Sequence, residues 1–303
     1  MTPSISGKAL WLFALCLAAI ALLACALLTA CQEEEKEVED GETPALKVVV
    51  SLAIFADFVR QVGGDRVDVF TLIPAGADPH TYEPAPGRVV RLTGADVVIV
   101  NGLGLERPLD DILKENIPSS AILVELAEGL PVVDTNPHLW LDVRNAIAYV
   151  ERIRDALVET DPDGAEAYRS NADTYLAELQ TLDQEVAADI DSIPSDRRKL
   201  VTFHDAFPYL AQRYGLEVVG VVVASPGKEP SAKDVANLVE AIAAENVPAV
   251  FKEPQFNARI LELAADDAGV EVCTLRSAAL DKRVDTYVKL MRSNAKELVR
   301  CLG

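Results

Sequence analysis

From residue 46 onward, short apolar runs alternate with longer stretches of helical periodicity. The runs at 47–52, 69–73, 97–101 and 122–126 form one set, and those at 199–203, 217–223, 249–253 and 271–275 form a second. This alternation is the signature of parallel strands joined by crossover helices. Between the two sets, Ala167, Ala172, Tyr175, Leu179, Leu182 and Val186 recur at helical spacing over 163–191, and no glycine or proline interrupts after Gly164. A helix of that length runs about 40 Å, long enough to act as a stiff strut. The stretches 145–159, closed by Asp161-Pro162, 232–245 and 284–302 read as further helices. The expected fold is α/β, with two similar lobes of mainly parallel sheet at 46–162 and 192–303, joined by the long rigid helix 163–191.

The first thirty residues follow a different pattern. One lysine, Lys8, precedes an almost unbroken apolar run over 9–30 that ends in Leu28-Thr29-Ala30-Cys31. Such a segment reads as a signal peptide, residues 1–30, and not as part of a core. The small residues before Cys31 resemble the lipobox of bacterial lipoproteins, which makes Cys31 the residue expected to carry lipid. Cys25, in Leu22-Leu23-Ala24-Cys25, is a second candidate, and the run is also long enough to span a bilayer uncleaved. Residues 31–45, rich in glutamate, have nothing to bury and read as an acidic tether. Each reading places the folded part outside the cytoplasm and at the membrane.

Composition narrows the choice of partner. The net charge of -20, without a basic patch, excludes a nucleic-acid partner. A monomer is expected. Of five cysteines only Cys273 and Cys301 fall in the folded region, an even pair in an oxidising compartment, where a bridge and two separate buried thiols both fit the spacing.

The chain has three histidines, His80, His138 and His204, each in a loop context. His80 lies in Gly76-Ala77-Asp78-Pro79-His80-Thr81-Tyr82-Glu83-Pro84, just past a predicted strand, and His204 directly follows another. Ligands in open α/β sheets collect beyond the carboxyl ends of strands, so two facing lobes can bring both to one cleft. His138, in Asn136-Pro137-His138-Leu139-Trp140-Leu141-Asp142, precedes a helix and can reach the same place. Imidazoles from separate loops suit zinc or another borderline transition metal, whereas calcium and magnesium call for oxygen clusters. Asp78, Glu83, Asp142 and Asp205 are expected to orient the rings as acceptors.

Those histidine contexts belong to a wider set. Val59-Arg60-Gln61-Val62-Gly63-Gly64-Asp65-Arg66-Val67, Asn101-Gly102-Leu103-Gly104-Leu105-Glu106, Phe203-His204-Asp205-Ala206-Phe207, Phe251-Lys252-Glu253-Pro254-Gln255-Phe256 and Tyr287-Val288-Lys289-Leu290-Met291-Arg292-Ser293-Asn294 occur in order along the chain. With the two histidine loops they resemble the solute-binding proteins of zinc and manganese ABC importers, from residue 47 to the C-terminus. The resemblance implies two lobes linked by one rigid helix, a metal between them, His80, His138 and His204 as ligands, and a membrane permease with its ATPase as partners. Manganese-selective relatives usually carry a carboxylate at the third ligand position, so His204 favours Zn2+ over Mn2+.

The chain departs from the family at the fourth ligand, commonly an aspartate in an Asp-x-Leu pattern. The matching stretch is Leu275-Arg276-Ser277-Ala278-Ala279-Leu280-Asp281, with Ala278 or, in a shifted register, Arg276 in its place. A water, Asp281 or Glu253 would then fill the position. Three histidines and a water also describe some hydrolytic zinc sites, but no Gly-x-Ser-x-Gly or His-Glu-x-x-His motif occurs. A surface adhesin or metal chaperone of the same fold is a third class.

Overall fold

Valine-rich runs become strands here because both faces of a parallel sheet are covered, leaving no row for polar side chains. The computed structural model describes residues 45–223, 226–227 and 231–303, without the side chains of residues 232 and 234. The signal segment, Cys25, Cys31 and the tether up to residue 44 lie outside the described residues. In the first half β1 (Leu46–Val50), β2 (Val67–Thr71), β3 (Val97–Val100) and β4 (Ile122–Glu125) form a parallel sheet in the order β2-β1-β3-β4. In the second, β5 (Lys199–His204), β6 (Glu217–Val223), β7 (Ala249–Lys252) and β8 (Glu271–Thr274) form another in the equivalent order β6-β5-β7-β8.

Runs expected to reach residues 52, 101 and 253 stop at Val50, Val100 and Lys252. The residues just beyond are buried without being strand. Ser51, Asn101 and Glu253 are no more than 1% exposed, and all three turn out to build loops at the site. Each sheet also has a switch point, because the chain leaves β1 on one side for β2 and comes back on the other for β3, and does the same around β5. The crevice beyond the carboxyl ends at such a point is where open α/β sheets hold ligands. Ser51 and Asn101 flank the first switch point, and His204 and Glu253 flank the second.

The helices that frame the sheets are α1 (Ala53–Gly63), α2 (Val143–Thr160), α3 (Ala165–Asp191), α4 (Pro208–Tyr214), α5 (Ala232–Ala244), α6 (Arg259–Ala268) and α7 (Tyr287–Leu302), with two further short helices at Pro86–Val89 and Asp110–Asn116 and single turns in the loops. The long helix α3 packs against α1, α2 and α7. Its buried stripe is Tyr168, Ala172, Tyr175, Leu179, Leu182, Val186 and Ile190. Ala167, expected on this face, is exposed, because the step to Ala172 takes it off the stripe that Tyr168 continues at proper helical spacing. The last helix begins at Tyr287, later than the residue 284 the pattern suggests. Asp281 accepts the backbone N–H groups of Arg283 and Val284 to make a turn, and Thr286 Oγ1 then accepts from the Lys289 N–H as the cap.

One continuous core joins both sheets through Val49, Phe55, Trp140, Leu182, Phe251 and Tyr287, and a smaller cluster lies under α5 and α6. The start of α7 is locked to elements of the first half. The Tyr287 N–H donates to Asp57 Oδ2 at 2.7 Å, and the Tyr287 hydroxyl donates to the Trp140 carbonyl at 2.7 Å. A disulfide joins Cys273 on β8 to Cys301 on α7, 28 residues apart. Closing a loop of that length stabilises the fold by about 3.5 kcal/mol in the chain-entropy model. Peptide mapping after thiol labelling of the denatured, unreduced protein is expected to leave both unlabelled, and Cys273→Ser/Cys301→Ser to unfold at lower denaturant. Label on both cysteines would defeat the assignment.

Candidate metal centre

Three imidazoles converge at the carboxyl ends of the two sheets, two from loops and the third, His204, from the end of β5 itself and not from the loop after it as expected. His80 sits in the loop after β2, where Asp78 accepts the His80 N–H at 3.0 Å and the Thr81 hydroxyl at 2.8 Å. His138 opens the turn that leads into α2, and His204 is the last residue of β5. Nε2 of His138 lies 3.2 Å from Nε2 of His80 and 3.3 Å from Nε2 of His204. Ligand nitrogens of all three lie within 4.8 Å of one another. Two nitrogens each bound to a tetrahedral zinc ion at its usual bond length are about 3.3 Å apart. The spacing of the rings therefore suits one small cation.

The far side of two rings is held by an acceptor. Asn136 Oδ1 stands 2.9 Å from His138 Nδ1, and a Glu253 carboxylate oxygen is paired with His204 Nδ1. Glu253 in turn accepts from the Ser277 hydroxyl and, at 3.1 Å, from Gln255 Nε2. Each acceptor draws the ring proton to Nδ1 and leaves an Nε2 lone pair facing inward. Two lone pairs facing at 3.3 Å repel unless a cation or a proton lies between them. Burial, and then the neighbouring histidines, push the His138 imidazole well below its ordinary pKa, and burial with His204 brings His80 down to about 4. His80 and His138 thus offer neutral nitrogens from which a metal has no proton to displace.

The first sheet's switch point supports this arrangement from below. Glu106 accepts the Ser51 hydroxyl at 2.7 Å, the Asn101 N–H at 2.8 Å and the Gly102 N–H at 3.2 Å, and its burial pushes the carboxyl up to about 7. Asn101 then donates to the Pro137 carbonyl at 2.9 Å and accepts from the Tyr149 hydroxyl at 2.7 Å. Trp140, whose indole N–H donates to the Ser277 carbonyl at 2.7 Å, packs its ring against His138. Phe256 packs edge-on against His204.

The carboxylates expected to orient the rings do other things. Asp78 shapes its own loop, Asp142 caps α2 through the Arg144 N–H at 2.8 Å, and Glu83 is exposed. Asp205 lines a cavity of about 480 Å³ beside His80 and His138, together with Asn136, Asp134 and Arg107. Asn136, which does hold a ring, was not among the expected orienters, although it stands two residues before His138 and an Asx side chain commonly bonds to the backbone two residues on. Asp281 pairs with Arg276 at 2.8 Å and with its own turn, Ala278 packs partly buried against the core, and Glu253 lies behind His204. Among the described residues no carboxylate joins the three nitrogens.

Residues 48–301 match the family model described as zinc-uptake complex component A, periplasmic. The chain is 35% identical over 281 residues to a manganese-binding lipoprotein, MntA, of Halalkalibacterium halodurans, covering 89% of this chain and 92% of the relative. It is 27% identical over 296 residues to an iron ABC transporter substrate-binding lipoprotein, MtsA, of Streptococcus pyogenes, covering 92% and 95%. Among solved structures, the periplasmic zinc binding protein TroA from Treponema pallidum superposes with a TM-score of 0.81 at 29% identity, over 86% of this chain and 99% of that one.

Proposed function

We propose, from the premise that this chain belongs to the zinc-uptake complex component A family, that it carries zinc in preference to manganese or iron. As a substrate-binding component of a metal ABC transporter it is not an enzyme, which sets aside the hydrolase alternative. In this reading His80, His138 and His204 hold the metal between lobes at 46–162 and 192–303, with 163–191 as the strut. A permease and its ATPase then take the metal through the membrane. The relatives' names include lipoproteins, which supports Cys31 as a lipid anchor and a place outside the cytoplasm.

One observation carries the choice of metal. The third position is an imidazole, and no carboxylate joins the cluster among the described residues. Manganese is suited by oxygen ligands and zinc accepts an all-nitrogen set, with a solvent position completing four-coordination. The test is the metal content of protein purified with neither added metal nor chelator, followed by competition between zinc and manganese at one pH. Zinc is expected to co-purify at one ion per chain and to resist a large excess of manganese. Preferential retention of manganese or iron, the metals in the relatives' names, would overturn the choice.

A further inference from the structure

We propose that Asn136 is the positioning residue that fixes His138 for the metal and ties it to the second half of the chain, an inference that rests on the metal-carrying reading above. Asn136 is 8% exposed, and every polar atom it offers is used. Its Oδ1 accepts the His138 backbone N–H at 3.1 Å and faces Nδ1 of the same ring at 2.9 Å. Its Nδ2 donates to the carbonyl of Asp205, next to His204, at 2.6 Å. The opposite amide orientation would set NH2 against the His138 backbone N–H and oxygen against the Asp205 carbonyl, so these two contacts settle which atom is which.

The backbone of the same loop is gripped from the same direction. Tyr209, on α4, donates its hydroxyl to the Asn136 carbonyl at 2.6 Å and accepts the Val133 N–H at 3.1 Å. Between these contacts Asp134 and Thr135 adopt φ of 46° and 62°, a region that non-glycine residues avoid, and a β-branched threonine most of all. A turn of that kind persists only where its surroundings over-determine it. His138 follows the first sheet in sequence, yet this loop is held by residues 205 and 209 of the second half. His138 and His204 thus form a fixed pair, each with an acceptor behind its ring. His80 differs. Among the described residues its ring has no hydrogen-bond partner except His138.

The test uses the full-length protein, nitrogen-15 spectra of the imidazoles in metal-free protein, and zinc alone as the probe. In the wild type His138 is expected as a single neutral Nδ1–H tautomer, with His80 averaging between two. Asn136→Ala should release His138 into averaging, leave His204 unchanged and weaken zinc binding about 10–100-fold. Asn136→Asp keeps the acceptor toward Nδ1 but sets an oxygen against the Asp205 carbonyl, so it should keep the fixed tautomer while losing the tie to the second half, and it carries the tautomer test if the alanine variant does not fold. An averaging His138 in the wild type or in Asn136→Asp, or unchanged tautomer and affinity in Asn136→Ala, would overturn the assignment. A fixed tautomer in a wild-type protein that binds no metal would instead sink the metal-carrying reading and leave the role of Asn136 standing.

Discussion

Alanine at His80, His138 or His204 is expected to weaken zinc binding by several kcal/mol in each case, the largest effect open to a single substitution here. Structural zinc sites bind with about 10–16 kcal/mol shared over four ligands, so one inner-sphere nitrogen accounts for about 3 kcal/mol, or a hundredfold and more in affinity. The three variants should separate on stability. His80 is half-buried and its ring has one partner, so metal-free His80→Ala should melt close to the wild type. His204→Ala leaves the Glu253 carboxyl, 1% exposed, with Ser277 and Gln255 but without its imidazole partner, and a buried acceptor oxygen left unmatched costs about 1–3 kcal/mol. Competition with a chromophoric chelator measures the first quantity and thermal unfolding of metal-free protein the second. Wild-type affinity in any one variant removes that histidine from the site.

The same residues show what a sequence carries and what it withholds. The strands were legible because a parallel strand buried on both faces is a solid apolar run, and the long helix because its stripe repeats over many turns. Its first contact was misplaced, Ala167 for Tyr168, since at the start of a helix there is no earlier turn to fix the phase. The three histidines stood out as the chain's whole supply, each expected in a loop, although His204 ends β5. What stands behind each ring did not, because the acceptor for a ring nitrogen depends on side-chain direction. Asp78 is as near His80 in sequence as Asn136 is to His138, but Asp78 turns its oxygens to its own loop. Glu253 meets His204 only because β5 and β7 are neighbours across the switch point, a pairing set by strand order and not by sequence separation.

That pairing makes Glu253→Gln the second large effect to expect. Three neutral imidazoles leave the charge of a dication uncompensated by the ligands, and the carboxylate of Glu253 is paired with His204 Nδ1. Its charge strengthens the ring as a donor, and the same bond fixes the tautomer. Glutamine keeps the size and one acceptor oxygen but loses the charge, so zinc affinity should fall about 10–100-fold while the fold survives. Asp281→Ala provides the contrast. Asp281 is engaged with Arg276 and with the N–H groups of Arg283 and Val284, so its removal should loosen a surface turn and leave zinc affinity unchanged. Ala278→Asp, at the position where the family commonly supplies a carboxylate, should tighten binding if the fourth coordination position is open to solvent. These three affinities, measured at one fixed pH, separate the possibilities: a loss in Asp281→Ala as heavy as in a histidine variant would make Asp281 the fourth ligand and defeat the three-histidine site, whereas a loss confined to Glu253→Gln places the missing charge one imidazole away from the metal.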